Sequence, residues 1–210
     1  MNNRGILIVL SGFSGAGKGT VVKNILKTYP DEYAVSVSAT TRAPREGETD
    51  GREYFFKSTS EFQKMIATGE LIEYAQYVGN YYGTPKAYVE EQLARGKDVI
   101  LEIEIQGALK VRRQFPDALL LFVTPPSAEV LKNRLIGRGT ETMDVIEHRL
   151  ARALEEAEGL EEYDYLVVND VLEEAVREVH EIIQNEHYRV ARNADKIREM
   201  RNELKGFTRQ

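Results

Sequence analysis

The 210-residue sequence predicts an α/β fold in which a parallel sheet is flanked by helices. Residues 6–10 form the continuous apolar run Ile-Leu-Ile-Val-Leu, which is typical of a strand buried on both faces. Further runs at 99–103, 118–123 and 165–168 are separated by helical patterns, and this alternation is typical of a parallel sheet with crossover helices. With 42% hydrophobic and 30% charged residues, the chain can bury a core.

The first predicted strand is followed by a glycine-rich turn and a helix. The helix is expected over residues 18–28, because apolar positions recur at helical spacing there and Pro30 follows. A further strand is predicted at 33–38. This strand–turn–helix order places the glycine-rich turn at the carboxyl end of a buried strand, where open α/β sheets bind ligands.

Two later helices have clear signals at their ends. Thr84 and Pro85 supply an N-cap and a proline at the first helical position, and Gly96 ends that helix. From Met143 onward, apolar residues at alternating spacings of four and three predict a long amphipathic helix. Its apolar positions are Ile146, Leu150, Ala153, Ala157 and Leu160.

Residues 39–83 interrupt the alternation and predict a small inserted lobe rich in β-structure. A short strand is expected at 52–56, and Ser58-Thr-Ser-Glu61 has the spacing of a helix capping box. Gly79-Asn80 is a hairpin-turn signal between two further strands. The predicted units are a core of residues 1–38 and 84–190, the inserted lobe 39–83 and a C-terminal helical tail, 191–210.

Composition excludes several classes of protein. The absence of cysteine excludes disulfides, thiolate nucleophiles and Cys-type metal sites. A formal net charge of −6 argues against general nucleic-acid binding. No apolar run approaches the roughly 20 residues that cross a bilayer, and no signal-peptide pattern occurs. We expect a cytoplasmic protein, monomeric or homodimeric, that binds neither membranes nor nucleic acid.

The strongest functional signal is Gly12-Phe-Ser-Gly-Ala-Gly-Lys-Gly-Thr20. Its glycines let successive backbone N–H groups point at phosphate oxygens, and the next helix presents its positive N-terminus to the same anion. Lys18 adds a charge that can follow a transferred phosphoryl group. These features predict a P-loop NTPase-type core that binds a nucleotide. Because Gly19 separates Lys18 from the Thr20 hydroxyl, Mg²⁺ is expected to be held mainly by phosphates, water and a carboxylate elsewhere.

Two other clusters can carry chemistry. Arg42 and Arg45, on either side of Pro44, have guanidinium groups suited to one phosphate, although a solvated charged loop gives the same pattern. Glu102 and Glu104 alternate on a predicted apolar strand, so both are expected to project from one face near its carboxyl end. The sequence has no Asn-Lys-x-Asp motif, which argues against a switch-type GTPase.

From about residue 5 to about residue 185, the sequence resembles guanylate kinases, with the motifs in the same order. The strings that carry the resemblance are 36–48, 50–54, Glu70-Leu-Ile-Glu-Tyr-Ala-Gln, Gly79-Asn-Tyr-Tyr-Gly-Thr84, Leu101-Glu-Ile-Glu-Ile-Gln-Gly107, Pro125-Pro-Ser127, Arg134-Leu-Ile-Gly-Arg-Gly-Thr-Glu141 and Val168-Asn-Asp170. The resemblance implies phosphoryl transfer from ATP to GMP, with Mg²⁺, in purine nucleotide metabolism and GMP recycling. It also implies a GMP-binding lobe at 39–83 and a short helical lid at about 134–149.

The same resemblance implies a role for each matching residue. The implied catalytic residues are Lys18, Arg134, Arg138 and Arg149. The implied ATP-binding residues are Gly12, Phe13, Ser14, Gly15, Ala16, Gly17, Lys18, Gly19, Thr20 and Asn169. The implied GMP-binding residues are Ser38, Arg42, Arg45, Glu48, Tyr54, Glu73, Tyr82, Thr84 and Glu104. Glu102 is implied to reach the metal through water, although the family commonly has Asp at positions 102 and 104.

The chemistry of guanine agrees with two of these roles. Guanine presents N1–H and a 2-amino group as adjacent donors, which one carboxylate such as Glu73 can accept together. Its O6 atom accepts a hydrogen bond from a hydroxyl such as that of Thr84. Adenine would leave these groups unpaired. Without the resemblance, Glu73 would be interpreted as a surface carboxylate, Tyr82 as a packing aromatic and Asn169 as a turn residue.

Two alternative functions are open at this stage. One is a kinase for another monophosphate, such as AMP or dTMP, and the other is a guanylate-kinase-like interaction module without catalysis. The intact Gly17 and Lys18 favour an enzyme. Residues 155–162 are predicted to be a solvated helix face. The three histidines, which lack metal-site spacing, are predicted to be structural or on the surface: His148, His180 and His187.

Overall fold

The computed structural model describes residues 4–77, 79–137 and 142–207. In chain order the elements are β1 (Leu7–Gly12), α1 (Lys18–Thr28), β2 (Tyr33–Val35), β3 (Ala39–Thr40), β4 (Phe55–Phe56), α2 (Thr59–Ala67), β5 (Leu71–Tyr77), β6 (Asn80–Pro85), α3 (Lys86–Ala94), β7 (Asp98–Glu102), α4 (Ile105–Gln114), β8 (Leu119–Thr124), α5 (Ala128–Gly137), α6 (Met143–Ala157), β9 (Tyr165–Val168), α7 (Leu172–Glu186) and α8 (Ala194–Phe207). Short 3₁₀ helices lie at Leu160–Glu162 and Val190–Asn193.

The main sheet has five strands in the order β2-β7-β1-β8-β9, and every neighbouring pair is parallel. This confirms the predicted α/β fold class. Leu10 of β1 is paired with Glu102 of β7, so the ends of these central strands lie side by side. The glycine-rich turn after β1 and the carboxylate of Glu102 therefore share one edge of the sheet.

Helices cover both faces of this sheet, which explains the continuous apolar run in β1. Ile8 and Leu10 pack into a core with α1 and α7, whereas Leu7 and Val9 pack into a second core with α3 and α4. Successive residues of a strand point to opposite faces, so both sets must be apolar. This packing fixes β1 and α1, the two elements that carry the glycine-rich turn.

A second, four-stranded sheet lies within residues 39–85, which end two residues beyond the predicted inserted lobe. Its order is β4-β3-β6-β5, with β5 and β6 forming the antiparallel hairpin expected around Gly79. The fully buried Phe62 of α2 packs against Ala39 and Leu71 beneath it. Ser58 caps α2: its hydroxyl accepts from the Glu61 N–H at 3.2 Å and its own N–H donates to the Glu61 carboxylate at 2.8 Å. The predicted capping box is therefore confirmed.

Several predicted boundaries are wrong for identifiable reasons. Thr84 is not the N-cap of α3, because the pairing of β5 with β6 continues to Pro85, which takes that position. Strand β2 ends at Val35, short of the predicted residue 38, because the chain leaves the main sheet to join β3. Helix α6 ends at Ala157, and Leu160 lies in a 3₁₀ helix instead. Within the three described ranges, no helix combines the length and apolarity needed to cross a bilayer.

Candidate active site

The glycine-rich turn between β1 and α1 has a backbone that only glycine adopts readily. Gly15 and Gly17 have positive φ angles of 98° and 92°. A Cβ atom at Gly17 would lie 2.5 Å from Nδ2 of Asn169. That amide is buried and donates a 2.8 Å hydrogen bond to the Ala16 carbonyl oxygen. Asn169, predicted as an adenine contact, therefore also fixes the shape of the phosphate loop, residues 12–20.

Three cations contact the phosphate loop and its surroundings. The Lys18 ammonium donates to the Gly12 carbonyl at 2.8 Å. Arg149 of α6 donates to the Ser14 hydroxyl at 2.5 Å, and Arg134 of α5 donates to the Asn169 carbonyl at 2.8 Å. The structure thus brings three of the four predicted catalytic residues to one loop. The fourth, Arg138, lies outside the described residues.

The phosphate loop and α1 line a cavity of about 790 Å³, called here the phosphate cavity. Lys18 and Thr20 line it, as do Lys23 and Lys27, two further lysines along α1. The Glu102 carboxylate is also part of the wall, since a Cβ atom at Gly19 would lie 3.5 Å from Glu102 Oε1. The cavity thus combines a helix N-terminus and lysines with one carboxylate, a composition suited to a polyphosphate with a cation.

A second cavity, of about 390 Å³, is called here the acceptor cavity. Predicted GMP-binding residues of the second sheet, of the segments just before β3 and β4, and of the α4 N-cap line it: Ser38, Tyr54, Glu73, Tyr82 and Glu104. Glu102 lines both this cavity and the phosphate cavity. The two cavities are therefore neighbours across one carboxylate, which is the arrangement that a donor and an acceptor of one phosphoryl group require.

Glu73 lies at an irregular point of β5. The register of β5 against β6 shifts between Leu71 and Tyr74, and such bulges redirect a side chain. The buried Thr84 hydroxyl donates to Glu73 Oε1 at 2.8 Å. Burial raises the pKa of Glu73 above its usual range, while the bond from Thr84 and the charge of Lys110 act in the opposite direction. The predicted base-reading pair is thus in direct contact.

Arg42 and Arg45 both contact Glu48, one through its guanidinium and the other through its backbone. The half-buried Arg42 guanidinium pairs with the Glu48 carboxylate at 2.8 Å and lies 5.4 Å from the centre of the Tyr54 ring. Arg45 contributes its backbone N–H to Glu48 at 2.7 Å, and its side chain is exposed. The Arg42 guanidinium holds the pKa of Glu48 below its usual range. Tyr82 completes the group, with its ring centre 6.0 Å from that of Tyr54.

The prediction for Glu102 and Glu104 needs correction. Strand β7 ends at Glu102, and Glu104 is the N-cap residue of α4, so the two do not project from one face of a buried strand. Both are exposed, because the chain leaves the sheet at this point. Both nevertheless line the acceptor cavity.

Comparison with known proteins decides the family. A profile described as guanylate kinase matches residues 4–186. The chain belongs to the guanylate kinase family. It is 53% identical to the guanylate kinase of Enterococcus faecalis over 97% of this chain and 100% of that protein. It is 50% identical to the guanylate kinase of Listeria innocua over 95% of this chain and 98% of that protein. The crystal structure of guanylate kinase from Anaplasma phagocytophilum has a TM-score of 0.70 at 32% identity, covering 90% of each chain.

Two residues beside the candidate site were not predicted from the sequence. Glu156 was assigned to a solvated face, but its side chain is only 17% exposed and accepts from Arg152 at 3.1 Å. Arg152 also pairs with Glu104. Both line a third cavity, of about 510 Å³, together with Lys18 and Arg149; it is called here the α6 cavity. The spacing of 149, 152 and 156 on one helix was the available signal.

The histidines agree with their predicted roles. The His180 ring stacks on Tyr29 with centres 3.8 Å apart and shares a hydrogen bond with the Tyr33 hydroxyl at 2.8 Å. His187 Nε2 lies 2.9 Å from the buried Asp98 carboxylate. His148 is exposed on α6. Across the described ranges, no three His, Cys, Asp or Glu side chains are grouped so that they could hold a metal ion.

Proposed function

We propose that this member of the guanylate kinase family transfers the γ-phosphoryl group of ATP to GMP, giving ADP and GDP. The observation that carries the proposal is the pair of neighbouring cavities that share Glu102. One is lined by the phosphate loop and the other by residues suited to a guanine nucleotide. We also propose that the protein acts in the cytoplasm and that its reaction belongs to purine nucleotide metabolism and GMP recycling.

On the donor side, we assign the ATP phosphates to the phosphate loop. Its backbone N–H groups and the N-terminus of α1 present positive charge to anionic oxygens. Lys18 lies at the cavity wall, where its ammonium can move from the Gly12 carbonyl to a phosphate oxygen. We assign Asn169 to the adenine side, with its amide already fixed on the loop.

On the acceptor side, we assign the base of GMP to Ser38, Glu73 and Thr84, and its phosphate to Arg42, Arg45, Tyr54 and Tyr82. The Glu48 carboxylate now pairs with Arg42, as an anionic phosphate would. We propose that Glu48 holds the Arg42 guanidinium in a paired geometry that the GMP phosphate can take over. We place Glu104, which also lines the acceptor cavity, against the bound nucleotide.

The residues present fit a magnesium ion carried by ATP. Mg²⁺ bound with a nucleotide usually takes phosphate oxygens and waters together with one or two carboxylates. Glu102 supplies one exposed carboxylate next to the start of α1, which suits contact through water. When bound, the ion would neutralise charge on the phosphates.

The proposed reaction needs no covalent intermediate. In-line phosphoryl transfer depends on positioning and on neutralising charge, and the cavities supply both. We propose that the lobe of residues 39–83 carries GMP toward ATP. We further propose that residues of about 134–149 act as a lid whose arginines stabilise charge on the transferred group and exclude water. Arg134 donates to the Ala16 carbonyl at 3.5 Å and Arg149 to the Ser14 hydroxyl at 2.5 Å, and these contacts with the phosphate loop support this part of the proposal.

Measuring ADP release with GMP, AMP and dTMP as acceptors tests the proposal directly. Rapid turnover with GMP and little with the other two is expected, because only guanine satisfies Glu73 and Thr84 together. Faster turnover with AMP or dTMP would instead identify a different monophosphate kinase. Tight binding of GMP without any ADP release would favour a non-catalytic interaction module.

GMP affinity is expected to fall on acidification, starting at a higher pH than for an ordinary glutamate. Glu73 accepts both guanine donors only when it is ionised, and burial raises its pKa in the free protein. Affinity is therefore full above this raised pKa and is lost as the pH falls through it. Calorimetric titration of GMP between about pH 8 and about pH 4 measures the effect. A profile shared by Glu73→Gln would show that another group is responsible.

A further inference from the structure

Arg152 stands where the two nucleotide sites meet. It follows Arg149 by three residues on α6, and residues at that spacing share a helix face. Arg149 contacts the phosphate loop through Ser14, whereas Arg152 contacts Glu104 at the acceptor cavity. Arg152 lines both the α6 cavity and the acceptor cavity. On one face of α6, Arg149 thus contacts the phosphate loop and Arg152 contacts the acceptor cavity.

Among the described residues, two carboxylates of unequal exposure contact the guanidinium of Arg152. Its Nε donates to Glu156 Oε1 at 3.1 Å, within the same helix. Its Nη2 donates to Glu104, which lies on a different element. The Glu156 side chain is 17% exposed and that of Glu104 is 68% exposed. Because Glu156 is the more enclosed partner and is fixed by the helix, it anchors Arg152, and Arg152 in turn restrains the exposed Glu104.

Glu104 needs such a restraint. It is the N-cap residue of α4, with φ −82° and ψ 166°, and in the described part of the chain its side chain makes no capping bond to that helix. A long, exposed glutamate otherwise samples several rotamers, and fixing it on ligand binding weakens that binding. A carboxylate also has about four acceptor positions, so an arginine can occupy some and leave others for a ligand.

We propose that Arg152 is a positioning residue for GMP that holds the Glu104 carboxylate toward the acceptor cavity, where it accepts a hydrogen bond from the bound nucleotide. This rests on the proposed function, in which Glu104 contacts GMP. Arg152 itself needs no contact with either substrate. Its contribution is to reduce the freedom that Glu104 loses when GMP binds.

The test is Arg152→Ala, studied by steady-state kinetics for both substrates and by calorimetric titration with GMP. The KM and the Kd for GMP should rise about three- to fivefold, a modest change because exposed ion pairs contribute little. The kcat and the KM for ATP should stay within about twofold of wild type. Arg152→Lys should recover part of the GMP affinity. The matched control is Arg177→Ala, which removes an exposed arginine of α7 that pairs with Glu181 four residues later.

A double-mutant cycle with Glu104→Gln shows whether Arg152 acts through Glu104. In that background, Arg152→Ala should change GMP affinity by less than it does in the wild type. Equal effects in both backgrounds would overturn the proposal, and so would unchanged GMP affinity in Arg152→Ala with a lowered Tm, which a purely structural role would give. If the wild-type protein does not phosphorylate GMP, the proposed function fails first. If it does and both Arg152 variants match wild type, only this inference fails.

Discussion

Lys18→Met is expected to lower kcat for GMP phosphorylation by roughly 10²–10³, the usual loss when a transition-state contact is removed. The Lys18 ammonium lies at the wall of the phosphate cavity, 2.8 Å from the Gly12 carbonyl. Charge develops on the transferred phosphoryl group, and methionine matches the length of the lysine stem without its charge. The measurement is kcat at saturating ATP and GMP, followed by ADP release.

Two controls separate this effect from misfolding. Lys64→Met removes an exposed lysine of α2 that lines none of the three cavities described above, and it should keep wild-type turnover. GMP titration of Lys18→Met should give a Kd within about twofold of wild type, because the acceptor cavity is built from other elements. A Lys18→Met protein that retained more than half of the wild-type kcat would contradict the assignment of the phosphate loop.

The main sheet could be predicted from sequence because its strands are buried on both faces. The apolar runs at residues 6–10 and 118–123 contain no polar residue that could mark a solvent-facing side. They were therefore correctly predicted as buried strands, and only their ends were misplaced. The strand at 33–38 was predicted too long because local pattern does not reveal where a chain changes sheets. The hairpin around Gly79 was predictable for a different reason, since the turn chemistry is encoded in two adjacent residues.

In the candidate site, too, the features encoded in neighbouring residues could be predicted and those that depend on distant partners could not. The shape of the phosphate loop was predictable because its glycines and its lysine lie within nine consecutive residues. The base-reading roles of Thr84 and Glu73 came only from family resemblance and the chemistry of guanine. Their direct contact was not predicted, since nothing in the local pattern joins the two strands. Arg152 and Glu156 were missed, because their importance depends on a partner at position 104. A charged residue on the polar face of an amphipathic helix is predicted to be solvated unless the surface that packs against it is known.

The second large effect is expected at Glu73. Glu73→Gln should weaken GMP binding by about 2–4 kcal/mol, the scale of leaving charged hydrogen-bond partners unpaired. Glutamine keeps the size and the contact with Thr84 but presents an amide N–H₂ where guanine also presents donors. ATP affinity should stay within about twofold of wild type, because Glu73 does not line the phosphate cavity. Calorimetric titration with each nucleotide separately measures both effects.

Glu70→Gln is the matched control, since it makes the same change at an exposed position just before β5 and outside the acceptor cavity. Its GMP affinity should equal that of wild type. Comparing the effect of Glu73→Gln on GMP binding with its effect on AMP binding tests base selection directly. If Glu73 reads guanine through the paired donors at N1 and the 2-amino group, AMP gains nothing from the carboxylate, and Glu73→Gln should leave AMP binding unchanged or slightly stronger. A variant that lost affinity for GMP and AMP equally would show that Glu73 shapes the cavity instead of selecting the base.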